Sequence, residues 1–211
     1  PMDGFGRVWK HHERKIEKYV GQSVGPEDTL VLTGDHSWGR KLPECREDLA
    51  FIERLPGRKV LLRGNHDMFW DAKKTEALNR EFAGRLFFLQ NNFVPYRDYA
   101  LVGTKGYTFE GPFYLDRWGN ITGWDEEREA QAAKLVARET ARLRESFRQA
   151  EAAGYRKFVM FLHYPPTSVL EETSPFTEMA EEYGVEAVVY SHCHGESRFG
   201  DSIRGSFHGI R

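Results

Sequence analysis

Cysteine is scarce: Cys45 and Cys193 are the 2 in 211 residues, too few for a disulfide framework and not spaced as a CxxC pair, which favours a reducing interior. Long apolar runs are missing too. No stretch reaches the roughly 20 residues of a membrane span, and no basic segment leads into an apolar one near the N-terminus. The expectation is a cytoplasmic protein without a membrane partner. Nor does either sign of charge prevail: the formal net charge is -2 with 29% charged residues. Without a basic field, nucleic acid is not an expected partner, and any phosphate recognition has to be local. Repeats, low-complexity tracts and linkers are absent. Residues 1–211 therefore read as a single domain, with 40% hydrophobic residues including 15 Phe to fill its core.

What is present is an alternation of short apolar runs and helical stretches. The runs Thr29 to Leu32, Lys59 to Leu62, Leu86 to Leu89, Tyr99 to Val102, Phe158 to Leu162 and Ala187 to Tyr190 have the length and composition of buried strands. Between the first two, Cys45, Leu49 and Ile52 recur at the spacing of one helix face, and a long Ala/Glu/Arg/Gln-rich helix is predicted from Glu126 to Ala153 ahead of Gly154. This order predicts a layered α/β fold, β-sheets flanked by α-helices, in which catalytic groups collect at the carboxyl ends of strands. The aromatic segment from Gly106 to Trp124 reads as a long loop, a feature associated with binding.

The polar signals stand at those strand ends: Gly34-Asp35, Gly64-Asn65-His66-Asp67, His163, and His192-Cys193-His194. Hydrolysis of a phosphate ester requires neutralised phosphoryl oxygens, an activated water and a proton for the leaving group, and a pair of metal ions about 3.5–4 Å apart supplies the first two. A carboxylate able to bridge, several imidazoles and a neutral oxygen form the matching ligand inventory. In extended backbone, His192 and His194 project to one side and Cys193 to the other. Taken singly, Asp35 is equally a turn residue and His163 a strand-end histidine before Pro165.

In combination, GD, GNHD, a lone histidine and HxH in this order resemble the calcineurin-like metallophosphoesterase family, over Gly34 to His194. Gly34-Asp35-His36-Ser37-Trp38 and Leu55-Pro56-Gly57-Arg58-Lys59 resemble a group of bacterial predicted phosphohydrolases within it. The resemblance implies two divalent ions, manganese, iron or zinc. Asp35 would bridge them, Asn65, His163 and His192 would complete one site, and His194 would serve the other. It further implies that Asn65 and His66 face the substrate phosphate, with His66 assisting the leaving oxygen and Asp67 orienting its imidazole. The implied activity is hydrolysis of a phosphomonoester or phosphodiester of a small phosphorylated substrate by metal-bound hydroxide. A catalytically inert scaffold of the same fold that binds a protein partner is the alternative, and His66 argues against it.

The sequence departs from the family in one respect. No Asp-x-His motif occurs, and neither a first strand carrying it nor a closing strand is evident, so both are expected to be missing from residues 1–211, with an Asp-x-His strand before Pro1. His36 reads as an exposed loop histidine and is the first suspect for the second site only if no such strand exists. Tyr107, Phe109, Trp118, Trp124 and Trp70 are candidates to line a pocket. Lys105 reads as a solvated lysine, and Arg138, Arg142, Arg144 and Arg148 as a helix cluster diluted by Glu139, Glu145 and Glu151.

Overall fold

The computed structural model describes residues 6–107, 113–115, 121–167, 173–193 and 203–211. Its elements run α1 (His12–Ser23), β1 (Thr29–Leu32), α2 (Arg46–Arg54), β2 (Arg58–Leu62), α3 (Thr75–Glu81), β3 (Leu86–Leu89), β4 (Phe93–Tyr96), β5 (Tyr99–Thr104), β6 (Phe113–Leu115), β7 (Ile121–Trp124), α4 (Glu126–Ala152), β8 (Lys157–Leu162), α5 (Pro175–Glu182) and β9 (Ala187–Val189). Every apolar run singled out above is a strand. The segment expected to be a long loop instead carries the antiparallel pair β6–β7.

Two main sheets form, β1-β2-β3 and β4-β5-β8-β9. All neighbours in them are parallel except β4 with β5. Pro95 lies in β4, an edge strand, where a missing N–H costs no central ladder bond. The period-two pattern of the strands assigns each side chain to a layer. Val60, Leu62, Leu89, Leu101 and Phe161 pack with one another between the sheets. Their neighbours Leu61, Leu86 and Phe88 turn outward to Leu49, Ile52, Leu78 and Phe82, residues of α2, α3 and the turn after α3. On the other outer face, Ala100, Val102, Phe158, Met160 and Leu162 meet Leu143, Phe147 and Ala150 of α4 and Phe176, Met179 and Ala180 of α5. The result is a helix, sheet, sheet, helix sandwich.

Helix starts are chemically marked. The Asp125 carboxylate accepts the Arg128 N–H, and Glu126, Glu127 and Glu129 place negative charge at the positive end of α4. Ser174 caps α5 with Thr177 in a reciprocal box. Parallel strands with crossover helices put the ends of β1, β2, β5, β8 and β9 on one rim. At the chain's far end, the Arg211 N–H donates to the Glu186 carbonyl and its carbonyl accepts from the Val188 N–H, so Arg211 lies alongside β9. Among the described residues no helix is long and apolar enough to cross a membrane.

Candidate metal centre

Two glycines let the rim close. Gly34 has φ +113, and a Cβ there would stand 2.4 Å from Nδ1 of His163; a Cβ on Gly64 would stand 2.1 Å from Oδ1 of Asp35. Neither position admits a side chain. Asp35 itself has φ 60, left-handed backbone of the kind that strained functional loops hold.

Asp67 locks the two loops together. It is fully buried, and its Oδ2 accepts the N–H groups of Asp35 at 2.9 Å and Gly64 at 2.7 Å. Its Oδ1 accepts those of His36 at 2.8 Å and Ser37 at 3.2 Å. A carboxylate has about four lone-pair directions. All are spent on backbone, which corrects the expectation that Asp67 orients the His66 imidazole. The ring of His66 stacks instead on Trp38, centroids 4.7 Å apart and planes at 19°. His66 is half-buried, and its N–H donates to Oδ1 of Asp35 at 2.9 Å.

His163 follows β8 and is buried. Its Nδ1 lies 2.8 Å from the Thr33 carbonyl, which can only accept, so Nδ1 carries the proton and Nε2 presents a lone pair. That Nε2 faces Oδ1 of Asn65 at 2.7 Å and Oδ2 of Asp35 at 3.5 Å. Burial pushes the imidazole below its ordinary pKa, against the pull of Asp35 and the Thr33 bond, and so favours the neutral form that ligates metal. Ser191 Oγ donates to the same Thr33 carbonyl at 2.9 Å, setting the entry to His192.

One oxygen of Asp35 and one ring nitrogen each of His163 and His192 lie within 4.8 Å of one another. Ligands about 2.0–2.2 Å from one ion stand roughly 2.8–3.6 Å apart at octahedral to tetrahedral angles. The Asp35–His163 separation of 3.5 Å falls in that range. Acceptors converging on an imidazole lone pair are the arrangement a cation resolves, so the donor set fits a divalent ion. His192 has φ 67, so the chain turns there and the extended HxH geometry expected from the sequence is not adopted at that residue.

A family model for calcineurin-like phosphoesterases matches residues 3–196. The chain belongs to this family. Calcineurin-like phosphoesterases carry out metal-dependent hydrolysis of phosphoesters, and the layered fold described above is theirs. Among solved structures, the chain is similar to phosphopantetheinyl hydrolase from Mycobacterium tuberculosis, with 15% identity, TM-score 0.55, and coverage of 92% of this chain and 81% of that one. It is also similar to the protein TT1561 of Thermus thermophilus, with 10% identity, TM-score 0.50, and coverage of 86% and 75%. At these identities the likeness is one of fold. No curated protein matches the chain.

The remaining family signals distribute unevenly. His194, Phe109 and Trp118 lie outside the described residues. The Nε2 of His36 is 2.8 Å from the Leu62 carbonyl, leaving Nδ1 for any other role. Trp70 is fully buried against Phe88 and gives its indole N–H to Thr75, so it belongs to the core rather than a pocket. Tyr107 packs on the cluster under α4, while Trp124 is exposed. Lys105 is not the solvated lysine expected; burial holds its ammonium below the ordinary lysine range. Trp38 and Thr33 were not singled out as site residues. The signals for Trp38 are its place three residues after Asp35 and at the end of the Gly34-Asp35-His36-Ser37-Trp38 motif.

Proposed function

We propose that this chain hydrolyses a phosphomonoester or phosphodiester of a small molecule at a dinuclear centre, with Asp35 bridging, Asn65, His163 and His192 completing one site and His194 serving the other. The observation that carries this reading is that Asn65 and Asp35 turn oxygens to the lone pair of His163, with a ring nitrogen of His192 in the same cluster. When bound, the ions supply charge neutralisation at the phosphoryl oxygens and acidify water. The mixed oxygen and nitrogen donors suit manganese, iron or zinc.

The chain's own groups do the rest. Asn65 and His66 face the scissile phosphate, and His66, its ring held by Trp38, gives a proton to the leaving oxygen or stabilises its charge. Asp67 acts one step back, by fixing the backbone that presents Asp35 and Asn65. A chain with two cysteines, Cys45 and Cys193, and no CxxC pair suits a reducing, cytoplasmic setting.

Metal analysis of the purified protein, together with hydrolysis of p-nitrophenyl phosphate and bis-p-nitrophenyl phosphate under added manganese, tests the reading. Bound metal and chelator-sensitive release of p-nitrophenol from either ester are expected. Stoichiometric metal without turnover of either ester would favour the inert scaffold.

A further inference from the structure

A second charged feature stands on the same rim. Arg63 follows β2 and precedes Gly64-Asn65, and Lys105 follows β5. The Lys105 carbonyl accepts the Tyr164 N–H at 3.1 Å, and its ammonium lies 5.7 Å from the centre of the Tyr164 ring, which itself contacts His192. Above them, α4 contributes Glu139, with its side chain 1% exposed, and Arg142, 18% exposed. Glu139 accepts Thr104 Oγ1 at 2.7 Å and Arg142 Nη1 at 2.6 Å, and Arg138 reaches it at 3.2 Å from a side chain 47% exposed. Glu139 is also the acid acting most strongly on Arg63 and Lys105.

The charges do not balance. Four cations share one buried carboxylate, whose oxygens already accept Thr104, Arg138 and Arg142. Asp67, a second acid that attracts Arg63, has its oxygens committed to backbone, and Asp71, a third that feels its charge, is exposed to solvent. Lys105 forms no ion pair among the described residues, and the Nε of Arg63 is buried without a hydrogen-bond partner there. A purely structural network would match its buried charges, because an unpaired cation out of water costs several kcal/mol on the usual order. Guanidinium groups with spare donors are suited to bidentate binding of phosphate or carboxylate.

We infer that Arg63, Lys105, Arg138 and Arg142 form an anion subsite beside the metal centre that takes a second phosphate or carboxylate of the substrate, so that the preferred substrate is a phosphoester carrying another anionic group. This rests on the hydrolytic reading above for its catalytic consequence, though not for anion binding itself. Arg138 opens the cluster to solvent, and Glu139 holds Arg138 and Arg142 toward it.

The test compares propyl phosphate, the phosphate ester of 3-hydroxypropionate and propane-1,3-diyl bisphosphate on the manganese-loaded chain, following phosphate release. At least one of the two esters with an anionic tail should exceed propyl phosphate tenfold or more in kcat/KM, and which one does so distinguishes carboxylate from phosphate. That ratio should fall below about threefold in Lys105→Met and in Arg138→Gln, through KM rather than kcat, with Lys105→Arg restoring part of it; a tenfold change corresponds to about 1.4 kcal/mol. Melting curves establish that each variant is folded. Equal kcat/KM on the three esters, or a preference unchanged in both variants, overturns the subsite and leaves the hydrolase reading standing. If no ester is turned over, calorimetric titration decides. Binding of the bisphosphate tenfold tighter than propyl phosphate, and lost in Lys105→Met, upholds the subsite, while the p-nitrophenyl esters decide the hydrolase reading. Equal binding overturns it.

Discussion

Replacing Asp67 by Asn separates a structural strut from a catalytic orienter. The carboxylate accepts the N–H groups of Asp35, Gly64, His36 and Ser37 in a fully buried position. An amide keeps one oxygen, which best serves Asp35 and Gly64, the pair at 2.9 and 2.7 Å. Its NH2 then faces the N–H groups of His36 and Ser37, donor against donor. Leaving a buried donor unmade costs about 1–3 kcal/mol, and the two surviving bonds lose the charge that makes such bonds roughly twice as strong. The sum is about 3–6 kcal/mol, a large part of the 5–15 kcal/mol that holds a typical domain.

Urea or thermal unfolding of metal-free Asp67→Asn should therefore show a fall in melting temperature on the order of 10 °C, at about 2–4 °C per kcal/mol for a domain of this size. Metal content should fall in parallel, because Asp35 and Asn65 lose their shared anchor. The reasoning is refuted by a variant that unfolds within about 1 kcal/mol of the natural chain and retains its metal yet turns over slowly. Such a result would return Asp67 to the role of orienting His66.

Further outcomes are expected at the same site. Asp35→Ala should lower kcat/KM more than Asn65→Ala, since a bridging carboxylate serves both ions and an amide only one; equal losses at equal metal content would count against the bridge. Trp38→Ala should reduce kcat several-fold at unchanged metal content by releasing the stacked His66 ring, and an unchanged kcat would remove His66 positioning from Trp38. Manganese at 100 times its dissociation constant should stabilise the chain by about 2.7 kcal/mol against unfolding, an increment absent in His163→Ala if that imidazole is a ligand. Cys45 is fully buried, and burial raises its thiol pKa. It should resist iodoacetamide at pH 8 until the chain is unfolded, which peptide mapping would show.

The layers were legible because their signals are local. Runs such as Leu86 to Leu89 and Phe158 to Leu162 are apolar throughout, as strands buried on two faces must be, and the spacing of Cys45, Leu49 and Ile52 needs no tertiary knowledge to read. Strand β4 escaped because Phe93-Val94-Pro95-Tyr96 contains a proline, which reads as a break unless its edge position is known. The hairpin β6–β7 escaped because Tyr, Phe, Trp and Gly dominate its surroundings without alternation. Its pairing also shifts register between Tyr114 and Leu115.

Of the candidate site, the residues that come together, Asp35, Asn65, His163 and His192, were legible and their supports were not. A carboxylate beside His66 invites a short-range role, and only the approach of residues 31 positions away in sequence turns Asp67 into an acceptor for backbone. Lys105 gave the same kind of false reading. A lysine after a strand looks solvated until α4 folds over it, bringing Glu139 and two arginines from a stretch that in sequence looks like an evenly charged solvated helix.

These failures share a cause that bears on how the centre functions. The candidate ligands come from loops with no regular structure of their own, so their positions depend on bonds between loops: Asp67 across the first two, and the Thr33 carbonyl, which takes both His163 and Ser191. Because the Thr33 carbonyl holds the imidazole proton at Nδ1 and so leaves Nε2 as the lone pair that faces Asp35 and Asn65, the first loop sets the chemistry of a side chain 130 positions later. Gly34 and Gly64 make the approach sterically possible, since a methyl group at either position would occupy the space of a donor. The GD and GNHD motifs are thus as much about backbone as about ligands: each glycine clears the ground for the donor that a different segment supplies.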